Sequence, residues 1–161
     1  MKNLLIIFGA KYLIILAVGI FIWYLLIQPR EIKKQILIFG VLVLPLAYIA
    51  AKISSYFYYD PRPFVAGNFV PLISHVPDNG FPSDHTLFSA ALAAIAIYFN
   101  RKVGTLLFAI AAIIGAARVL AGVHHAVDVV GSLVIVGVVS WLTHEYLLPL
   151  ALRSKIFFKS A

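Results

Sequence analysis

Apolar residues occur along this chain in long, nearly uninterrupted blocks, and not at alternating or helix-periodic positions. A membrane-spanning helix needs about 20 mostly apolar residues, so the pattern predicts an all-α, polytopic membrane helix bundle. The five predicted spans cover roughly residues 4–27, 36–58, 86–100, 104–121 and 127–149. The third block is short, and we expect the residues before Thr86 to complete its helix.

One long loop, about residues 60–85, separates the second and third spans. It is rich in proline, and its apolar middle, FVPLISHV, suits a segment lying along a membrane surface. The first span, residues 4–27, is longer than the apolar region of a secretory signal and lacks a small-residue cleavage site. We therefore expect it to be a retained transmembrane helix.

Composition supports the membrane assignment. Of the 161 residues, 63% are hydrophobic and 12% are charged, about half the charge of an average soluble domain. The length suits one integral membrane domain, residues 1–161, with no separate soluble module. Without a cysteine, the chain cannot form a disulfide, a thiolate nucleophile or a zinc–thiolate site.

The net charge of +7 comes from basic residues at the ends of the apolar blocks. QPREIKKQ (28–35), NRK (100–102) and the tail with Arg153, Lys155 and Lys159 fall on one side of a five-helix arrangement. The positive-inside rule makes that side cytoplasmic. This pattern argues against a nucleic-acid partner, and it places the N-terminus, the long loop and the turn GVHHAVD on the outer face.

The outer face collects most of the remaining polar chemistry. A charge at membrane depth costs about 2.5–3.5 kcal/mol, so such a cluster is a functional-site hypothesis. The aspartates and histidines predicted there are Asp60, Asp78, Asp84, Asp128, His75, His85, His124 and His125.

The first of three motifs is YDPRPF, residues 59–64. Its prolines stop the second helix and hold Arg62 at the interface, where the planar guanidinium suits a phosphate. Taken alone, this motif is better explained by an arginine that merely snorkels from a helix end. Lys52 lies ten residues earlier, inside an apolar helix where a lysine needs a reason.

The second motif, GFPSDHT (80–86), has the features of a helix start, with Ser83 as the N-cap. The free N–H groups of a helix start form an anion site, and His85 would point into it. Asp84 suits the helix dipole but would repel a phosphate. An ordinary cap beside a surface histidine explains this motif alone equally well.

The third motif is RVLAGVHHAVD, residues 118–128. His124 and Asp128 are spaced i, i+4, which puts them on one face if the fifth helix begins by His124. Asp128 would then hold one ring nitrogen as N–H and leave the other free as nucleophile or base. His125, at i, i+3, satisfies the same geometry, so the spacing leaves both histidines open.

Together the three motifs resemble those of the type-2 phosphatidic-acid phosphatase superfamily, which run Lys-x6-Arg-Pro, Pro-Ser-Gly-His and Ser-Arg-x5-His-x3-Asp. Here Arg62-Pro63, PSDH (82–85) and Arg118 to Asp128 match in order and spacing, giving a motif core of residues 52–128. The resemblance implies a membrane lipid phosphatase that needs no metal or other cofactor.

The resemblance also assigns roles to individual residues. It implies that His124 is the nucleophile that forms a phosphohistidine, that Asp128 orients it, and that His85 is the general acid. His125 receives no role. The residues that it implies for phosphate binding are Arg62, Ser83, Arg118 and Lys52.

Three positions depart from the family pattern. Lys52 is three residues too early, because Ser55 occupies the family's lysine position, and Ala117 replaces the serine before Arg118. Asp84 replaces glycine, as in a bacterial branch that acts on undecaprenyl pyrophosphate. That variant implies a polyprenyl lipid substrate at the periplasmic face of the inner membrane, with Asp84 beside the substrate phosphates.

Other functions are compatible with the same sequence. The same chemistry could serve phosphatidylglycerol phosphate, phosphatidic acid or a lipid A phosphate. A proton- or ion-coupled transporter would place polar residues at mid-membrane in several helices, where this chain has only Lys11 and Lys52. A metallohydrolase using His85, His124, His125 and Asp128 would hold its cation beside two arginines, and the sequence has no His-Glu-x-x-His helix.

Overall fold

The computed structural model describes residues 1–153, and this part of the chain is helical with no strand. The all-α prediction is therefore confirmed. The helices are α1 (Lys2–Lys11), α2 (Leu13–Leu26), α3 (Arg30–Phe57), α4 (Pro63–Ala66), α5 (Asp84–Phe99), α6 (Arg101–Leu120), α7 (Ala126–Leu142) and α8 (Leu148–Arg153). A π-helical turn, Thr143–Leu147, joins α7 to α8.

These helices fall on the five predicted segments in order, but in the described part of the chain only three or four segments have the length and composition of a membrane span. Three stretches are long and apolar enough to cross a membrane: Arg30–Phe57, Arg101–Leu120 and Ala126–Arg153. The α1–α2 pair makes a fourth if the two helices, bent by 46°, form one span. The 16 residues of α5 extend about 24 Å, less than the roughly 30 Å of a hydrocarbon core.

The residues before Thr86 complete the third helix as expected, but they add less than one turn. Only Asp84 and His85 precede Thr86 in α5, and Ser83 is already extended. Proline disfavours helical backbone in the residue before it, so Pro82 prevents the helix from continuing backwards through Phe81.

The predicted loop at residues 28–35 is also mostly helical. Pro29 is the N-cap of α3, and Lys33 donates from its Nζ to the Leu26 carbonyl oxygen at 3.0 Å. Similarly, Arg101 and Lys102 belong to the first turn of α6, where the Asn100 side chain accepts from the Val103 N–H. Lys155 and Lys159 of the basic tail lie outside the described residues.

Helix α5 is the buried centre of the bundle and packs against α3, α6 and α7. Its middle is a run of alanines, which lets neighbouring helices approach closely, as small residues do in membrane bundles. One close approach is at Gly104 of α6, where a Cβ atom would lie 2.4 Å from the Ile97 Cα. Close packing of α5 and α6 thus depends on a glycine.

The long loop is docked onto the end of α6. Leu72 donates its N–H to the Ala121 carbonyl oxygen at 3.0 Å, and Ile73 is buried against this end of the bundle. Gly122, with a positive φ of 77°, makes room for the Phe69 ring. The loop therefore closes over the α6–α7 turn, where the third motif lies.

Candidate active site

The α6–α7 turn places a buried histidine against a buried aspartate. His124 Nδ1 lies 3.1 Å from Asp128 Oδ2, and both side chains are almost fully buried. Helix α7 begins at Ala126, with His125 as its N-cap, and not at His124 as the spacing argument assumed. The contact still forms because Asp128 reaches back from the first turn of α7. A carboxylate only accepts hydrogen bonds, so Nδ1 carries the proton and Nε2 keeps its lone pair.

Two arginines lie against that free nitrogen. Arg62 Nη1 is 3.2 Å and Arg118 Nη2 is 3.4 Å from His124 Nε2. Arg62 Nη1 also donates to the Val123 carbonyl oxygen at 2.8 Å, and Arg118 Nη1 donates to the Ala10 carbonyl oxygen at 3.4 Å. Both guanidinium groups are therefore fixed and buried beside the one ring nitrogen able to attack an electrophile.

The surroundings keep His124 neutral. Burial lowers the pKa of His124, and although the hydrogen bond to Asp128 raises it, the charges of Arg118 and Arg62 lower it further. The net shift is downward from the ordinary histidine value of 6.5. An imidazole in this position retains its lone pair at neutral pH.

The second motif is tied to the same turn. Ser83 is the N-cap of α5, as predicted, but its side chain makes no capping hydrogen bond. Its hydroxyl oxygen accepts from the Thr86 hydroxyl at 3.1 Å, while its N–H donates to the Asp128 carbonyl oxygen at 3.2 Å. These bonds bring His85, in the first turn of α5, close to Arg118 and His124, and burial together with the charges of those two residues lowers the pKa of His85 to about 4.

Lys52 and Asp84 lie beside the arginine–histidine cluster and not within it. Both line a small cavity of about 50 Å³ together with Arg62. Lys52 is exposed, with its Nζ 5.1 Å from the centre of the Tyr48 ring. Ser55, at the family's lysine position, instead accepts from Asn79 Nδ2 at 3.1 Å and holds the loop.

Sequence reasoning gave no role to Asp78 or Asn79. Arg62 Nε donates to Asp78 Oδ1 at 2.7 Å. Burial opposes ionisation of Asp78, but the hydrogen bond and charge of Arg62 prevail and lower the pKa of that carboxyl. Asn79 Oδ1 accepts from the N–H groups of Asp60 and Phe81. In the sequence, these two residues are visible only as polar positions in the proline-rich loop. Their partners lie too far along the chain for residue spacing to identify them.

His125 also has partners that the sequence did not reveal. Its Nδ1 lies 2.9 Å from Asp60 Oδ2, and its backbone N–H donates to Asp128 Oδ2 at 2.9 Å. Asp60, His125 and Asp128 each offer a ligand atom, and these atoms lie within 4.8 Å of one another. These three residues form the group that could hold a metal ion in the described part of the chain, although His125 and Asp60 already bond to each other.

The fold and the site define the class of this protein: a helical membrane protein with a buried, carboxylate-oriented histidine beside two arginines, an arrangement suited to an anionic phosphoryl group. The PAP2 superfamily model matches residues 36–150. The chain belongs to the PAP2 superfamily, which confirms the resemblance seen in the three motifs.

Three individual proteins are similar to this chain over most of its length. The undecaprenyl-diphosphatase BcrC of Bacillus subtilis is 33% identical over 145 residues, which are 88% of this chain and 73% of that protein. The bacitracin transport permease protein BcrC of Bacillus licheniformis is 32% identical over 145 residues, 88% of this chain and 70% of the relative. The putative undecaprenyl-diphosphatase YbjG of Escherichia coli is 33% identical over 135 residues, 80% of this chain and 65% of the relative.

The crystal structure of Aquifex aeolicus LpxE shares the fold, with a TM-score of 0.65 and 23% identity over 88% of this chain and 82% of that one. With the family match and the relatives, the protein is a membrane phosphatase, a hydrolase of phosphoric esters or anhydrides.

Proposed function

We propose that this protein removes the terminal phosphate of undecaprenyl pyrophosphate through a phosphohistidine intermediate, at the outer face of a bacterial inner membrane. The observation that carries the proposal is the environment of His124: Nδ1 faces Asp128 while Nε2 faces the guanidinium groups of Arg62 and Arg118. Two relatives whose names specify an undecaprenyl-diphosphatase support this choice of substrate.

In the first step, the Nε2 lone pair of His124 attacks the terminal phosphorus in line with the bridging oxygen. As the P–O bond breaks, Arg62 and Arg118 stabilise the charge on the equatorial oxygens, and Asp128 stabilises the cationic imidazole ring. The negative charge of the bound pyrophosphate favours the protonated form of His85, which gives its proton to the departing undecaprenyl phosphate as a general acid. The product on the protein is phosphorylated His124.

In the second step, water attacks the phosphohistidine. His85, now neutral, takes a proton from the water, and the P–N bond breaks with its electrons returning to His124 Nε2. Inorganic phosphate leaves, and both histidines recover their starting protonation states. The buried Asp128 serves both steps because it holds the same Nδ1–H throughout.

The cavities beside the site suit an amphipathic substrate. An apolar cavity of about 340 Å³ lies between α3 and α5, with Asp84 at its edge and Leu44 and Leu87 in its walls. A second apolar cavity of about 380 Å³ shares Leu44 and continues towards Ile36. Asp84 also borders the small polar cavity of Lys52 and Arg62, so an apolar space suited to an isoprenoid tail adjoins a basic, polar one beside the site.

The decisive test is phosphate release by the purified protein from undecaprenyl pyrophosphate, compared with phosphatidylglycerol phosphate, phosphatidic acid and a lipid A phosphate. We expect the highest kcat/KM on the pyrophosphate. His124→Ala should abolish turnover, whereas His125→Ala should keep a substantial part, and ³¹P NMR of denatured enzyme should detect phosphohistidine in the wild type alone. A higher kcat/KM on another lipid would contradict undecaprenyl pyrophosphate as the substrate. An active His124→Ala would refute the mechanism.

A further inference from the structure

A second histidine–aspartate pair joins two distant segments of the site. His125 Nδ1 and Asp60 Oδ2 are 2.9 Å apart, although the residues are 65 positions apart in sequence. Asp60 is largely buried and His125 partly so. Since a carboxylate only accepts, Nδ1 of His125 carries a proton and donates it to Asp60. The proposed chemistry uses neither side chain.

Asp60 sits in a rigid part of the loop. Its N–H donates to Asn79 Oδ1 at 2.9 Å, and its carbonyl oxygen accepts from the Gly80 N–H at 2.8 Å. Two residues later in the same segment, Arg62 reaches His124 Nε2 at 3.2 Å. The placement of Asp60 and that of the Arg62 guanidinium are therefore linked through a short, proline-restricted stretch of backbone.

His125, the other member of the pair, lies at the start of α7. As the N-cap of α7 it donates its backbone N–H to Asp128 Oδ2 at 2.9 Å, and that same oxygen contacts His124 Nδ1 at 3.1 Å. The orientation of the Asp128 carboxylate thus depends on where the His125 backbone lies. The Asp60 bond fixes the His125 side chain, and with it the start of α7.

We propose that Asp60 and His125 are positioning residues. Their mutual hydrogen bond holds the Arg62 segment and the start of α7 at a fixed separation, at which His124 contacts both Arg62 and Asp128. This inference rests on the proposed role of His124. Without the bond, each contact can still form, but the two form together less often. The consequence is a slower chemical step with little change in substrate binding.

The test compares variants that remove the bond with variants that keep it. Asp60→Ala and His125→Ala should each lower kcat about threefold and change KM less than twofold. The double variant should be no slower than the slower single variant, because residues acting through one contact are not additive. Asp60→Asn retains an acceptor oxygen and His125→Asn retains an N–H donor, so both should recover most of kcat.

A matched control exists at the other end of the bundle, where His144 Nδ1 lies 3.2 Å from Glu145 Oε1. Glu145→Gln should leave kcat unchanged. Additive losses in the double variant, an unchanged kcat in both alanine variants, or a loss confined to KM would overturn the inference. Melting temperatures of all variants separate a slower site from a smaller folded fraction.

A cation site at Asp60, His125 and Asp128 predicts a different result. Mg²⁺, Mn²⁺ or Ca²⁺ alone would then raise the melting temperature of the wild type but not of Asp60→Asn, and Asp60→Asn would be as slow as Asp60→Ala. Either result would overturn the positioning role. An inactive wild type would instead refute the proposed function, so the two failures are distinguishable.

Discussion

At the scale of single residues, the protonation of His124 controls the expected pH dependence. Burial and the two arginines lower its pKa below 6.5, and the nucleophile must be neutral to attack. The acid limb of the pH profile, where His124 becomes protonated, should therefore lie below pH 6.5. The measurement is kcat/KM for undecaprenyl pyrophosphate against pH, which reports groups of the free enzyme. An acid limb centred at or above pH 6.5 would contradict this assignment.

A second residue-scale prediction concerns Lys52, which borders the cavity of Arg62 and Asp84 without touching the His124 cluster. We expect it to bind the lipid-side phosphate, so Lys52→Ala should raise KM for undecaprenyl pyrophosphate severalfold and change kcat little. Lys11→Ala is the matched control, because Lys11 is also an exposed lysine of an apolar helix. Equal KM values for the wild type and Lys52→Ala would remove Lys52 from the phosphate-binding set.

At the scale of helices, the contact of α5 with α6 depends on Gly104. A Cβ atom there would lie 2.4 Å from the Ile97 Cα, whereas one at Gly137 of α7 would meet nothing within 4 Å. Gly104→Ala should therefore destabilise the protein by about 1–3 kcal/mol, a typical cost of overpacking. Gly137→Ala should be neutral or stabilising by up to about 1 kcal/mol, because alanine favours a helix.

Thermal unfolding in detergent measures both glycine variants. Equal melting temperatures would show that α5 and α6 can separate at no cost. Such a result would contradict the close packing of the last turn of α5 against the first turn of α6.

At the scale of the whole molecule, the site and the basic clusters lie at opposite ends of the bundle. Lys2 and Asn3 border the same surface depression as His124 and His125, while Arg101 begins α6 at the far end. We therefore expect the N-terminus and the active site on the outer face, with the basic ends in the cytoplasm.

The absence of native cysteines makes this orientation directly testable. Single variants Asn3→Cys and Lys102→Cys can be treated with a membrane-impermeant maleimide in intact spheroplasts. We expect labelling of Asn3→Cys alone, and of both once the membrane is permeabilised. The opposite pattern in intact cells would place the active site in the cytoplasm.

The bundle arrangement also bears on the transporter alternative. Arg62, Arg118, His124 and Asp128 gather at one end, around the α6–α7 turn. A transport path would need such groups at mid-membrane depth. Phosphoryl chemistry at a membrane surface explains the placement better.

The sequence by itself determined the class of fold and, within the histidine–arginine cluster, the local group from Arg118 to Asp128. Long apolar blocks can bury their backbone polar groups in lipid only as helices. The stretch from Arg118 to Asp128 contains a single connection between two helices, so residues that are close in sequence there are also close in space. The resemblance to a family then separated His124 from His125, which spacing alone could not do.

Only the tertiary structure decided which distant residues meet. The bonds of Asp78, Asn79 and Asp60 connect residues up to 65 positions apart. No local periodicity encodes such contacts, because they follow from how the loop docks onto the end of α6. The physical reason is that helix formation is local, whereas the packing that places Asp60 beside His125 is a property of the whole chain.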